Sequence, residues 1–188
     1  MVKFVCISLF ILQCVIGISQ ENYIQPGILK ASATISPSKM LNRSVDNIYL
    51  SGFLEYHVDK KLSLRGDSYF FIDSKAEKAT DEVLNGASRT YFGLFYHFNK
   101  SNWDKYFGVQ PGLSLLRFSA ISSGISFSPS FAVTAGTSYF VWDYFHFFAN
   151  LTYVNSTVRQ LQGGSRKADE LILSAGLGFQ LPTKKTNN

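Results

Sequence analysis

Residues 170–181 read ELILSAGLGFQL, and the two faces of this stretch differ sharply in polarity. In an extended strand, successive side chains point to opposite sides. One side then carries Leu171, Leu173, Ala175, Leu177, Phe179 and Leu181. The other side carries Glu170, Ile172, Ser174, Gly176, Gly178 and Gln180. The fold depends on which of these two faces points to the interior of the protein.

Seven further segments alternate in the same way, and together they predict eight β-strands. The 17 phenylalanines and 10 tyrosines of the chain also favour strands. The predicted strands are residues 28–36, 46–58, 62–73, 88–98, 106–118, 130–141, 145–157 and 169–181. The links 59–61 and 142–144 are short and the link 99–105 is moderate, whereas the links 37–45, 74–87, 119–129 and 158–168 are long. Short and long links alternate, which predicts an antiparallel up-and-down sheet. The polar segment Ser74–Asn85 is interpreted as a loop that carries a helical turn.

The apolar faces of these strands cannot all point into a soluble barrel. The lumen of an eight-stranded barrel is only just wide enough for side chains to fill it, and the small and polar face fits there more easily. Apolar residues on the outside require hydrocarbon around them, and strands of about 9–11 residues are long enough to cross it. Closure also satisfies the backbone hydrogen bonds in lipid. The sequence therefore predicts an all-β fold, an eight-stranded antiparallel up-and-down transmembrane β-barrel.

The N-terminal segment has the pattern of a secretory signal. Lys3 precedes an apolar run over residues 4–16, and small residues stand before a cleavage point after Ser19. A membrane anchor or a lipoprotein modified at Cys14 is a weaker interpretation. We therefore expect a signal peptide at 1–19, a barrel domain at 20–181 and a short polar periplasmic tail at 182–188. The net charge of +5 is scattered along the chain, which does not favour nucleic-acid binding.

Four charged residues fall on the face that is predicted to line the lumen: Lys30, Glu55, Arg65 and Asp67. If residues 59–61 form a three-residue turn, Val58 pairs with Leu62 and Glu55 lies opposite Arg65. An isolated buried charge is very costly, so we expect a charge network that fills the lumen. The alternative is that one or two of these charges lie near the mouth of the barrel and are solvated.

The three histidines, His57, His97 and His146, also fall on the lumen face, near the short turns. No serine stands close to His146, and the spacing of the histidines is not that of a metal site. The sequence therefore predicts no catalytic, cofactor-binding or metal-binding residues, and no enzymatic activity.

Ser174, Gly176, Phe179 and Leu181 resemble the C-terminal β-signal of bacterial outer-membrane proteins, in which a polar residue, a glycine, an aromatic or hydrophobic residue and a last hydrophobic residue recur at this spacing. The resemblance implies recognition by the barrel-assembly machinery, although the tail 182–188 follows the signal. The chain as a whole resembles small eight-stranded outer-membrane proteins, such as OmpX-like proteins and the membrane domain of OmpA-like proteins. This implies a barrel in the bacterial outer membrane, among lipid and lipopolysaccharide, with short turns in the periplasm and long loops outside the cell.

The main functional hypothesis is a monomeric outer-membrane protein with a structural or cell-surface interaction role. Its long loops, 37–45, 74–87, 119–129 and 158–168, would contact an extracellular partner. Three alternatives remain open at this stage: a narrow, porin-like channel, a lipid-modifying barrel enzyme, and a secreted ligand-binding barrel of the lipocalin type.

Overall fold

The computed structural model describes residues 23–76, 84–118, 126–159 and 165–183, which form nine strands. Eight of these are long: β1 Ile28–Met40, β2 Val45–His57, β3 Leu62–Ala76, β4 Leu84–Lys100, β5 Trp103–Phe118, β6 Ser126–Trp142, β7 Phe145–Arg159 and β9 Glu170–Pro182. The ninth, β8, is the short segment Ser165–Lys167. The signal peptide expected at residues 1–19, most of the expected tail and the centres of three predicted long loops lie outside the described residues.

The eight long strands close into one antiparallel barrel. Each strand pairs with its neighbour in the chain from β1 to β7, and β9 pairs with both β7 and β1. Leu29 lies opposite Leu181 across the closing seam, and Ala149 lies opposite Ala175 on the other side of β9. Strand β8 pairs only with the far end of β7. The predicted eight-stranded antiparallel barrel is therefore confirmed. Among the described residues, no helix is long and apolar enough to cross a membrane.

Several strands are longer than the sequence pattern predicts. Strand β1 continues to Met40 and β2 begins at Val45, so the predicted loop 37–45 shrinks to residues 41–44. Residues 74–76 and 84–85 belong to strands, which corrects the interpretation of Ser74–Asn85 as one loop with a helical turn at these ends. The extra residues are mostly polar, so they lack the alternation that marks a membrane-facing strand. Backbone pairing, such as Lys39 with Asp46, extends the strands without it.

The apolar faces point outward. Phe92 and Leu94 are 59% and 57% exposed, and Phe179 of the opening stretch is 54% exposed. The outward apolar side chains include Ile35, Leu50, Leu54, Phe70, Phe107, Val109, Phe127, Phe131, Leu151, Leu173 and Leu181. A soluble monomer rarely exposes an apolar patch larger than a few hundred Å2, and exposure to water costs about 25 cal/mol per Å2. This exterior fits hydrocarbon, as the sequence analysis predicts.

The lumen is less uniformly small and polar than the sequence pattern suggests. Its largest fully buried side chains include Arg65, Arg89, Tyr49, Tyr91 and Phe95. Glycines on neighbouring strands make space for some of these rings. Gly108 lies opposite Phe95, and a Cβ atom at Gly108 would stand only 2.5 Å from Cγ of that ring. The lumen is therefore packed like a protein core, in which large side chains lie against glycines on neighbouring strands.

The orientation of β9 predicts unequal effects of two substitutions on this strand. Leu177 is 40% exposed on the outside, whereas Ser174 is buried and its hydroxyl lies 2.6 Å from that of Ser36. Leu177→Arg should lower the free energy of unfolding by about 2–4 kcal/mol, because it places a charge in hydrocarbon. Ser174→Ala should lower it by about 1 kcal/mol, because it removes one hydrogen bond. Urea unfolding in lipid vesicles measures both, and equal losses would contradict the assigned orientation.

Candidate functional site in the barrel lumen

The lumen contains two buried clusters of charged residues, one toward each end of the barrel. The short-turn cluster comprises Lys30, Glu55, His57, Arg65, Asp67, His97 and Asp104. The long-loop cluster comprises Arg89 and Glu170 together with the polar residues Ser38, Asn47 and Tyr49. Every charged side chain in both clusters is almost completely buried. Because such charges must be compensated locally, the two clusters are the first places to look for a function.

The structure places all four residues of the predicted charge network in the short-turn cluster. Lys30 Nζ lies 3.4 Å from Glu55 Oε2. Glu55 lies opposite Arg65 in the β2–β3 register, as expected for the short turn. Their side chains are nevertheless 3.9 Å apart, because Arg65 makes its closest contact, 2.8 Å, with Asp67 on the same strand. The geometry thus pairs Lys30 with Glu55 and Arg65 with Asp67.

Asp104 and His97 also belong to this cluster, although neither was part of the predicted charge network. Asp104 Oδ2 lies 3.4 Å from Lys30 Nζ and 2.8 Å from His97 Nδ1. On its other side, His97 Nε2 lies 2.9 Å from Glu55 Oε1. Asp104 lies before the predicted start of its strand at residue 106, whereas β5 begins at Trp103 and turns Asp104 inward. Two acidic residues therefore share Lys30 and His97.

Aromatic rings and an amide hold the Arg65–Asp67 pair in place. The guanidinium carbon of Arg65 lies 3.8 Å from the centroid of the Phe53 ring and 4.9 Å from that of Phe95. At these distances a cation is attracted by the ring faces. Gln110 Nε2 donates to Asp67 Oδ2 at 2.6 Å. This half of the cluster is fixed by cation–π contacts and charge-assisted hydrogen bonds, both of which suit arginine.

The long-loop cluster is built around Glu170, the first residue of β9. Arg89 Nη2 lies 2.5 Å from Glu170 Oε2. Asn47 Nδ2 donates to Glu170 Oε1 at 2.6 Å, Tyr49 OH donates to Oε2 at 3.0 Å, and Ser38 Oγ also donates to Oε1. This ion pair was missing from the predicted network, although the alternation turns both residues inward. Both stand at the ends of predicted strands, where the pattern is weakest.

Among the residues that the structure describes, a small cavity separates the two clusters. A cavity of about 10 Å3 lies in the middle of the lumen. Its lining includes Arg65, Asp67, Tyr69, Phe148 and Asn150. This volume is roughly that of one water-sized probe, so the cavity has room for about one water molecule.

Ser63, His97 and Asp104 have the spacing of a hydrolase triad. Ser63 Oγ lies 2.8 Å from His97 Nε2, and His97 Nδ1 lies 2.8 Å from Asp104. However, Glu55 Oε1 also contacts Ser63 Oγ, at 2.7 Å, and competes for the same histidine nitrogen. All these side chains are buried, so a substrate carbonyl has no position next to the hydroxyl. The arrangement does not favour acyl transfer, for which a nucleophile must reach its substrate.

Comparison with known proteins gives matches among solved structures only. No protein-family model matches the sequence, and no curated protein matches it. The outer-membrane protein OprG from Pseudomonas aeruginosa is 13% identical, with a TM-score of 0.60 over 85% of this chain and 98% of OprG. Neisserial surface protein A is 18% identical, with a TM-score of 0.60 over 82% of this chain and 96% of that protein.

A third similar structure is Ail, the attachment invasion locus protein of Yersinia pestis. It is 15% identical, with a TM-score of 0.56 over 84% of this chain and 100% of Ail. At such low identities these similarities bear on the fold alone. Together with the closed barrel and its apolar exterior, they show that this chain has the fold of the small eight-stranded bacterial outer-membrane β-barrels.

Proposed function

We propose that this protein is a monomeric, closed barrel of the bacterial outer membrane that serves as a stable platform for loops at the cell surface. The observation that carries this proposal is the filled lumen. Two paired charge clusters and several aromatic rings occupy the interior, and the central cavity has room for about one water molecule. A channel would need a continuous aqueous path, and an enzyme would need an accessible reacting group. We therefore favour a structural and interaction role over both alternatives.

Basic residues on the outside support lipopolysaccharide as a direct contact. Lys39, Lys75 and Arg117 are exposed near the long-loop ends of their strands, beyond the apolar exterior. Their cationic groups suit the phosphates of the outer leaflet, where each basic residue contributes about 1 kcal/mol near an anionic surface. Ail has been crystallised in complex with the heparin analogue sucrose octasulfate. By analogy, we infer that the long-loop end of this barrel binds a polyanion such as lipopolysaccharide.

We also propose that Ser174, Gly176, Phe179 and Leu181 form the signal for the barrel-assembly machinery. Phe179 and Leu181 point outward and are more than half exposed, whereas Ser174 points into the lumen. A factor that approaches β9 from the lipid side would therefore meet the hydrophobic half of the motif. The position of β9 as the closing strand agrees with this role.

The closed lumen predicts that the protein does not conduct ions in discrete steps. Purified mature protein reconstituted in planar bilayers should give a flat current over a range of voltages, because charged and aromatic side chains block the path. A porin measured in the same bilayers shows that the assay detects channels. Reproducible unitary steps from the wild-type protein would favour the narrow channel instead.

The basic residues near the long loops, and not those near the short turns, are predicted to bind lipopolysaccharide. Replacing Lys39, Lys75 and Arg117 together by glutamine should weaken binding of detergent-solubilised lipopolysaccharide at least tenfold, and added salt should reduce the difference. A matched control replaces Lys60, Lys61 and Lys105, which are exposed near the short turns. Equal losses in the two triple variants would contradict the proposed orientation. Binding can be measured by the change in unfolding temperature with lipopolysaccharide concentration.

The ion pair between Arg89 on β4 and Glu170 on β9 predicts that substitutions of these two residues have strongly non-additive effects on stability. Arg89→Met should lower the free energy of unfolding by about 3–5 kcal/mol, because it leaves Glu170 buried without a counter-charge. Adding Glu170→Gln should recover much of this loss, since the second change removes the stranded charge. A double-mutant cycle from urea unfolding in vesicles measures the coupling energy. Additive losses would show that the pair does not stabilise the barrel.

A further inference from the structure

His57 is one of two buried histidines, with His146, whose ring nitrogens the platform role leaves unexplained. Its side chain is 0% exposed, and neither Nδ1 nor Nε2 has a hydrogen-bond partner. Leaving a buried polar group unpaired costs about 1–3 kcal/mol, so such a group calls for an explanation. The ring of His57 lies 4.6 Å, centroid to centroid, from that of His97. Two imidazoles therefore stand side by side next to the carboxylate of Glu55.

The spacing of these three side chains fits a metal ion. Ligand atoms from Glu55, His57 and His97 all lie within 4.8 Å of one another. Glu55 Oε1 is 3.5 Å from His57 Nε2 and 2.9 Å from His97 Nε2. In a tetrahedral zinc site with bonds of about 2.0–2.1 Å, neighbouring ligand atoms are about 3.3 Å apart. These two distances lie on either side of that value, and the third, between ligand nitrogens of the two histidines, is within 4.8 Å, so side-chain rearrangement would complete the geometry.

Asp104 supplies the outer partner that metal-binding histidines usually have. His97 Nδ1 lies 2.8 Å from Asp104 Oδ2, which leaves Nε2 as the nitrogen that faces Glu55 and His57. A carboxylate at Nδ1 holds the ring in one orientation and makes Nε2 a better ligand. Two strands supply this pair, β4 with His97 and β5 with Asp104. The carboxylate–histidine unit is therefore fixed by the barrel itself.

The charge balance of the cluster also leaves room for a cation. Arg65 is matched by Asp67, at 2.8 Å. Lys30 is shared by two carboxylates, and it contacts Glu55 through Oε2 rather than Oε1. With neutral histidines the cluster therefore carries one negative charge in excess. A proton on His97 would balance that charge, but it would still leave both nitrogens of His57 without a hydrogen-bond partner.

We propose that Glu55, His57 and His97 bind a divalent transition-metal ion at the short-turn end of the lumen. Two imidazoles and one carboxylate suit zinc best. Ser63 Oγ, 2.7 Å from Glu55 Oε1, stands next to the remaining coordination position, which a water molecule can also fill. Bound there, the ion ties β2 to β4 and, through Asp104, to β5. The site goes beyond the platform role, since a barrel can present loops without it.

Metal titration of the purified protein tests the site. The mature chain is prepared with an affinity tag that contains no histidine, stripped with a chelator and titrated in detergent with Co2+, whose visible absorption reports tetrahedral ligation. We expect saturation at one equivalent and displacement by Zn2+. His57→Gln and His97→Gln should each weaken binding at least 100-fold. Asp104→Asn should weaken it about 10–100-fold, the usual effect of losing an outer-shell partner.

His146→Gln is the matched control. His146 is also completely buried in the lumen with both ring nitrogens unpaired, but it is not part of the three-residue cluster. This variant should bind Co2+ as the wild-type protein does, and heat-modifiable migration on gels shows which variants are folded. Equal weakening in His57→Gln and His146→Gln would overturn the proposal, as would a wild-type protein that binds no more metal than detergent alone.

A measurement on the wild-type protein decides the matter if the histidine variants do not fold. X-ray absorption at the zinc edge, with one equivalent of Zn2+, counts the imidazole ligands directly. Two imidazoles together with oxygen ligands are expected. A spectrum with oxygen ligands only would overturn the site.

Discussion

The pairing of β9 with β1 is the constraint on which the rest of this structure depends. It joins the last strand to the first, with Ile28 opposite Pro182 at one end and Met40 opposite Glu170 at the other. Between these positions, Thr34 Oγ1 donates to the carbonyl of Ala175 at 2.7 Å and adds a side-chain link to the seam. In hydrocarbon an open sheet edge would leave backbone groups unpaired at a cost of several kcal/mol each. Closure removes that edge, and it also separates the outward apolar face from the inward polar face on every strand.

Closure then sets the conditions inside the barrel. Eight strands enclose a lumen that side chains can fill, and here they do so with paired charges and aromatic rings rather than water. The arginines act as large, planar packing groups as well as charges: Arg65 lies between rings and carboxylates, and Arg89 is fully buried. Glycines such as Gly108 provide the space that the aromatic rings need, here that of Phe95. The lumen therefore resembles a polar protein core, and its stability depends on how well these buried charges are paired.

The predictable part of this fold is the part that the membrane dictates. Alternation over residues 170–181 was enough to orient β9, because a period of two admits only two faces. The turn at 59–61 likewise placed Glu55 opposite Arg65. Strand ends were harder to predict, because outside the lipid the polar residues near Met40 and Leu84 pair without any hydrophobic signal.

The charged clusters were only partly predictable for the same reason. Asp104 was missed because it lies beyond the predicted start of its strand, although the structure turns it inward. The spacing of Glu55, His57 and His97 in the sequence did not indicate that they lie together, since this depends on contacts between strands that are distant in the chain. Side-chain conformation also could not be predicted from the sequence. Backbone register alone would pair Arg65 with Glu55, but the guanidinium makes its closest contact with Asp67.

The ion pair between Arg89 and Glu170 gives the barrel a means of distinguishing between strand registers. If β9 slipped by two residues against its neighbours, its leucines and Phe179 would still face lipid, so the hydrophobic pattern cannot tell the two arrangements apart. The slip would, however, carry Glu170 roughly 6.8 Å along the barrel, at 3.4 Å per residue. Arg89 would then be buried without its carboxylate, as would the donors on Asn47 and Tyr49. A single inward-facing acidic residue at the start of the last strand thus disfavours an alternative closure that the outward-facing residues of β9 would accept.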